Sequence, residues 1–121
     1  MSRNRVALAL CLALAALPAY AAPPPVGSED WAVMGPHSEW IRSLRRQGVS
    51  CCDLSDGRPV DARIQNGRWQ VRFRAGQLPT APLHWTDVHD DAVLRIENPI
   101  GPAIAFWAGG RVLCFVPPAA N

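Results

Sequence analysis

Val60-Asp61-Ala62-Arg63-Ile64-Gln65-Asn66-Gly67-Arg68-Trp69-Gln70-Val71-Arg72-Phe73-Arg74 is the stretch on which the fold turns. Val60, Ala62 and Ile64 alternate with polar Asp61, Arg63 and Gln65. A repeat of two is the strand period, because successive side chains leave opposite faces of a sheet. Asn66-Gly67 follows, and both residue types tolerate the positive φ that a tight hairpin turn demands. Trp69, Val71 and Phe73 then alternate with Arg68, Gln70, Arg72 and Arg74. The stretch predicts a hairpin with one buried face and an arginine-rich outer face.

Toward the C-terminus, residues 83–88 read as a third short strand. Asp90 and Asp91 start a turn into residues 93–96, a further short strand. Asn98-Pro99-Ile100-Gly101-Pro102 breaks the pattern. Residues 103–107 and 111–116 form a second hairpin across Gly109-Gly110, ended by Pro117-Pro118. Toward the N-terminus, residues 38–47 read as the helix of the chain. Ser38 is its expected N-cap, Glu39 favours the positive end, and Trp40, Ile41 and Leu44 make one apolar stripe. Arg45 and Arg46 suit the negative end and Gly48 the stop, while residues 31–34 suit a short preceding turn. Tight turns and short strands after one helix predict a mostly β fold: a small SH3-like, partly open barrel preceded by an N-terminal helix. An α+β roll is the alternative. The expected core is Trp40, Ile41, Leu44, Val60, Ile64, Trp69, Val71, Phe73, Val88, Val93, Ile104, Phe106, Val112 and Val116.

The first 21 residues read as a Sec-type signal peptide. Arg3 and Arg5 supply a positive start, residues 6–17 an uncharged apolar run, and Ala19-Tyr20-Ala21 a cleavage site. The run of about 12 residues is too short for a membrane core that takes roughly 20, so no membrane anchor is expected after processing. Cleavage after Ala21 removes two arginines and no carboxylate. The ten remaining arginines then equal the ten carboxylates, and nucleic acid is not an expected partner. Ala22-Pro23-Pro24-Pro25-Val26-Gly27 opens a proline-rich flexible lead over residues 22–37. Residues 38–118 are expected to form a single β-rich domain stapled by a disulfide, in a periplasmic or secreted protein.

Three cysteines survive processing: Cys51, Cys52 and Cys114. Val112, Cys114 and Val116 alternate, which points Cys114 inward, and Cys51-Cys52 lies where the chain re-enters the sheet. A bond from Cys114 to Cys51 or Cys52 closes a loop of about 62 residues and stabilises by roughly 4 kcal/mol. A strained vicinal bond between Cys51 and Cys52 is a second reading, and a redox or metal role a third. Without a Cys-x-x-Cys spacing, a thioredoxin-like mechanism has no sequence support.

Other chemistry is thinly signalled. His84 and His89 lie on opposite faces of one short strand, so they do not converge on a metal with Cys51 or Cys52. A Cys-His-Asp set can be assembled from Cys51 or Cys52, His84 or His89, and Asp87, Asp90 or Asp91, with no spacing that fixes its geometry. Asp53-Leu54-Ser55-Asp56-Gly57 lacks the alternating ligands and closing Glu of a calcium loop and reads as a turn. No catalytic residue, metal or cofactor is assigned. Trp107 and Phe115 fall opposite Phe106 and Cys114. With Trp85 they are the candidate binding residues, an exposed aromatic patch if that side is solvated.

Trp40-Ile41-Arg42-Ser43-Leu44, Ser50-Cys51-Cys52-Asp53, Asp56-Gly57-Arg58, residues 85–88, Asn98-Pro99 and Leu113-Cys114-Phe115-Val116-Pro117-Pro118 form a pattern spanning residues 40–118. It resembles a family of short, uncharacterised exported proteobacterial proteins. Some relatives carry a further Cys near the position of Gly57, so a second bridge open to them is closed to this chain. The resemblance implies export and disulfide bonding, and no activity. The expected function is a non-enzymatic exported binding module for an envelope protein, peptide or cell-wall glycan. A thiol- or metal-dependent enzyme centred on Cys51 and Cys52 is the alternative.

Overall fold

The computed structural model describes residues 22–51 and 53–120. The expected signal peptide and Cys52 lie outside the described residues. Among the described residues the chain is mostly β: three small antiparallel sheets with short helical segments at one end. Helix α1 (Glu29–Met34) and helix α2 (Ser38–Ser43) flank a 3-10 turn at Gly35–His37. Strands β1 (Arg45–Arg46) and β2 (Val49–Ser50) make a small hairpin. A second sheet has the order β3 (Gly57–Pro59), β7 (Ile104–Ala108), β8 (Arg111–Val116). The third has the order β4 (Asp61–Gln65), β5 (Arg68–Arg72), β6 (Thr86–Asp87). The strands do not close into a barrel. No helix of the described residues is long and apolar enough to cross a membrane.

The central sheet β3–β7–β8 is buried on both faces, and the molecule is layered around it. Ile104, Phe106, Cys114 and Val116 pack on one side with Met34, Ile41, Leu44 and Cys51 from the helical end. Ala103, Ala105, Val112 and Phe115 pack on the other with Val71, Phe73 and Val88 around the third sheet. That explains the nearly continuous apolar run from Ala103 to Trp107: a strand covered on both faces cannot alternate. A bulge between Phe106 and Trp107 decides which side chain meets which layer. Phe106 pairs with Cys114 but Trp107 pairs with Val112, leaving Leu113 as the extra residue. The expected common face of Val112, Cys114 and Val116 is thereby broken, and Val112 joins Phe115 instead.

Both expected hairpins form. Asn66 and Gly67 have φ of 53° and 75°, and the β7–β8 turn is made by Gly109 and Gly110 at 62° and 76°. The first strand departs from its expected face. Residues 57–59 pair with β7, the Val60 N–H donates to the Ala103 carbonyl, and from Asp61 the chain pairs with β5. The strand thus changes sheets at Val60. Val60 is in the core, but Ile64 lies at the far end of the hairpin and is 62% exposed. The third strand shrinks to two residues. Residues 93–96 form no strand, although Val93 makes an isolated parallel bridge to Phe115. Trp40, Trp69 and Val93 are partly buried at the margins of the core.

The helical end also differs. The expected helix over 38–47 stops at Ser43, because Leu44 is extended and Gln47-Gly48, with φ of 50° and 80°, turns the chain back as a hairpin. Arg45 and Arg46 therefore pair with Ser50 and Val49. Capping falls on Ser28, whose Oγ accepts from the Trp31 N–H at 3.2 Å, with Glu29 and Asp30 in the first turn. Ser38 caps nothing. Residues 22–37, expected as a flexible lead, carry α1 and the 3-10 turn and bury Pro24 and Met34. The apolar Met34 has the cluster around Ile41 to fill, which anchors the lead.

Candidate functional site

Cys51 and Cys114 are joined by a disulfide across 63 residues. Both are fully buried among Ile41, Phe106 and Val116. Of the two pairings left open by the sequence, Cys51 is the partner. A thiol nucleophile would have to be Cys52, which lies outside the described residues. His84 and His89 are exposed. Among the described residues no three His, Cys, Asp or Glu side chains gather as a metal site.

The expected aromatic patch divides. Phe115 is fully buried, with its ring 5.2 Å from that of Trp69. Trp107 is partly buried and meets Phe73 edge-on at 6.1 Å. Both pack where the third sheet lies on the central one, and Phe115 is left with no exposed surface. The Phe106/Trp107 bulge, invisible in strict alternation, sends them there.

Trp85 behaves differently. It lies on the outer face of β4–β5–β6, just ahead of β6, where the Val71–Thr86 and Gln70–Asp87 pairing continues toward Arg72. The Arg63 guanidinium is 4.2 Å from the Trp85 ring centroid and that of Arg72 is 4.6 Å. Each contact places a cation on the electron-rich face of the indole. Both arginines are held from the side as well. Arg63 Nε donates to Gln70 Oε1 at 2.8 Å, Gln70 Nε2 to Asp87 Oδ1 at 2.7 Å, and Arg72 pairs with Asp61 at 3.2 Å. Arg68 is 3.9 Å from Asp87. These pairs are half exposed and each contributes little to stability. Their effect is positional: guanidiniums are fixed around one flat aromatic ring, on a face with three arginines (68 and 72 of β5, 63 of β4) against Asp61 and Asp87. Alternation along β5 predicts the arginines. The Trp85 contact depends on the pairing of a two-residue strand, which leaves almost no periodic signal.

Arg58 is the one buried arginine among the described residues, 3% exposed. Its Nη1 donates to the Leu54 and Gly57 carbonyls at 2.7 Å, and Nη2 to the Ala22 carbonyl at 2.6 Å. Desolvation lowers its pKa, and the nearby charges of Asp30 and Asp56 oppose that shift. The lead, Arg58, Arg74 and Gln77 border an open hollow of about 360 Å³. Gln77 closes its floor by donating to the Pro59 carbonyl and to Asp30. Arg58 gives three of its N–H donors to main-chain acceptors, which ties the lead to the turn before β3. Two smaller hollows, of about 200 and 140 Å³, share Arg46 and Arg111. Arg46 is occupied there by Asp91 at 2.7 Å. The outer sheet face is thus the site that combines an aromatic surface with ordered, accessible charge.

The chain matches no protein-family model, no curated protein and no solved structure.

Proposed function

We propose that this protein is a non-enzymatic binding module of the cell envelope, exported through its leader and holding a protein, peptide or cell-wall component against the outer face of β4–β5–β6. The observation that carries the reading is half-buried Trp85 lying against the exposed side chains of Arg63 and Arg72. An ordered aromatic-arginine surface loses little side-chain entropy on binding, and such residues dominate recognition surfaces. The buried Cys51–Cys114 bond is compatible with an oxidising compartment. A strand shared between two sheets at Val60 supports the partly open, SH3-like arrangement within the same proposal.

The test is retention of envelope proteins and cell-wall fragments on immobilised mature protein, repeated with Trp85→Leu. The proposal expects a set of retained molecules that the variant loses. Equal retention by both proteins, or none by either, sinks it.

A further inference from the structure

Strand β4 hydrogen-bonds to β5 and, among the described residues, to no strand on its other side. Its outward edge offers unpaired N–H and C=O groups, the template on which another strand can be added. Arg63, Ile64 and Gln65 are exposed along it. Ile64 is the one large apolar side chain of β4–β6 left strongly in water, at 62%. Resting on the reading of this face as the binding surface, we propose that its ligand is an extended acidic segment of a partner protein. The segment adds to β4 as a further strand, with a carboxylate beside Arg63 and an apolar side chain beside Ile64.

Three features converge on that chemistry. Side chains of an added strand alternate between faces. Those on the outer face then fall beside Arg63, and those on the other face beside Ile64, within the ~5 Å of a cross-strand pair. Charge is the second feature. Beyond residue 21 the chain balances ten arginines with ten carboxylates, yet this face gathers three arginines against two. It therefore draws anionic side chains. The interleaved Asp61 and Asp87 disfavour a uniformly charged polyanion and suit a segment with carboxylates at alternate positions. Third, Arg63 is ordered in advance by Gln70 and Trp85. A guanidinium has five N–H donors, so Arg63 keeps donors for a carboxylate after the bond to Gln70 is made. Main-chain bonds would supply affinity and the acid–apolar alternation specificity.

The experiment uses the mature chain and a probe labelled at its N-terminus, fluoresceinyl-Gly-Thr-Glu-Val-Glu-Val-Glu-Thr-amide, read by anisotropy. Three further probes are a peptide of the same composition with its glutamates in a block, the alternating peptide N-methylated at two successive central residues, and an oligouronate. The alternating peptide is expected to bind, and N-methylation or Arg63→Gln to weaken it about tenfold or more. Ile64→Thr should weaken it several-fold with the fold intact by circular dichroism. Equal binding of the N-methylated or block peptide overturns strand addition but leaves the binding face standing. Trp85-dependent binding of the oligouronate alone does the same. Binding of no probe overturns the acidic strand as ligand, and the retention test with Trp85→Leu then decides the binding face separately. A dimer of the free protein that Arg63→Gln and Ile64→Thr dissolve shows the edge taken by a second copy, and also overturns the proposal.

Discussion

Replacing both Cys51 and Cys114 by alanine cuts the link between the turn after β2 and the last strand. The half-cystines are 63 residues apart in sequence. Releasing a loop of that length restores about 4 kcal/mol of chain entropy to the unfolded state. Both residues are fully buried between the helical end and the central sheet, so the variant also leaves a void where two sulfur atoms stood. That void adds roughly 1–2 kcal/mol. The sum, about 5–6 kcal/mol, rivals the 5–15 kcal/mol that holds a domain of this size together. The oxidised protein is therefore expected to unfold cooperatively in urea, followed by tryptophan emission. The double variant should unfold at much lower urea, with a midpoint temperature reduced by some 20–30 °C. Reduction of the natural protein should approach the variant, and the urea dependence should steepen because an unlinked chain exposes more surface. Coincident urea curves with and without reductant, or a disulfide map joining Cys52 to Cys114, would falsify the account of the staple.

Other substitutions probe the packing. A β-carbon at Gly57 would stand 2.6 Å from the Phe106 ring across the β3–β7 pair, so Gly57→Ala should cost about 1–3 kcal/mol by thermal melting, partly recovered with Phe106→Leu. Asn98 donates to the Pro102 and Pro117 carbonyls and accepts from the Ile100 and Gly101 amides. Asn98→Asp keeps the acceptor but replaces the NH2 group that makes both donated bonds with one oxygen repelled by the two carbonyls, so it should cost about 2–4 kcal/mol at neutral pH. Part of that loss should return on acidification: a carboxyl facing two carbonyls has a raised folded-state pKa, so stability is fuller below it and falls as pH rises. Deleting residues 22–25 removes the Ala22 carbonyl from Arg58, and chemical unfolding should show a loss of about 1–3 kcal/mol. The loss should be smaller in an Arg58→Met background, where no buried charge is left unpaired. Equal losses in both backgrounds would exclude Arg58 as the anchor of the lead.

Local chemistry was legible wherever turn residues and a strict period of two coincided. Asn66-Gly67, Gly109-Gly110 and the buried positions Val71 and Phe73 follow from sequence, because their conformations depend on neighbours a few residues away. The arginine-rich outer face of β5 follows for the same reason. Ser28-Glu29-Asp30-Trp31 carries the capping signal of α1, masked in the sequence by the prolines before it, which favour an extended lead. Gln47-Gly48 was a turn signal read as a helix stop.

The arrangement of layers was not legible. Trp107 and Phe115 alternate like solvent-facing residues, but the third sheet folds over them, and the bulge at Phe106/Trp107 sends Val112 to their side. Trp85 reaches Arg63 and Arg72 through a strand two residues long. By itself the sequence determined that the chain forms two tight hairpins with an inward-facing Cys114 and an arginine face. Only the tertiary structure decided that Cys51 is the partner, that the central sheet is covered twice, and that Trp85 stays at the surface. The reason is range: turn and strand preferences act within a few residues, whereas burial of Phe115 and closure of the disulfide depend on contacts between segments tens of residues apart.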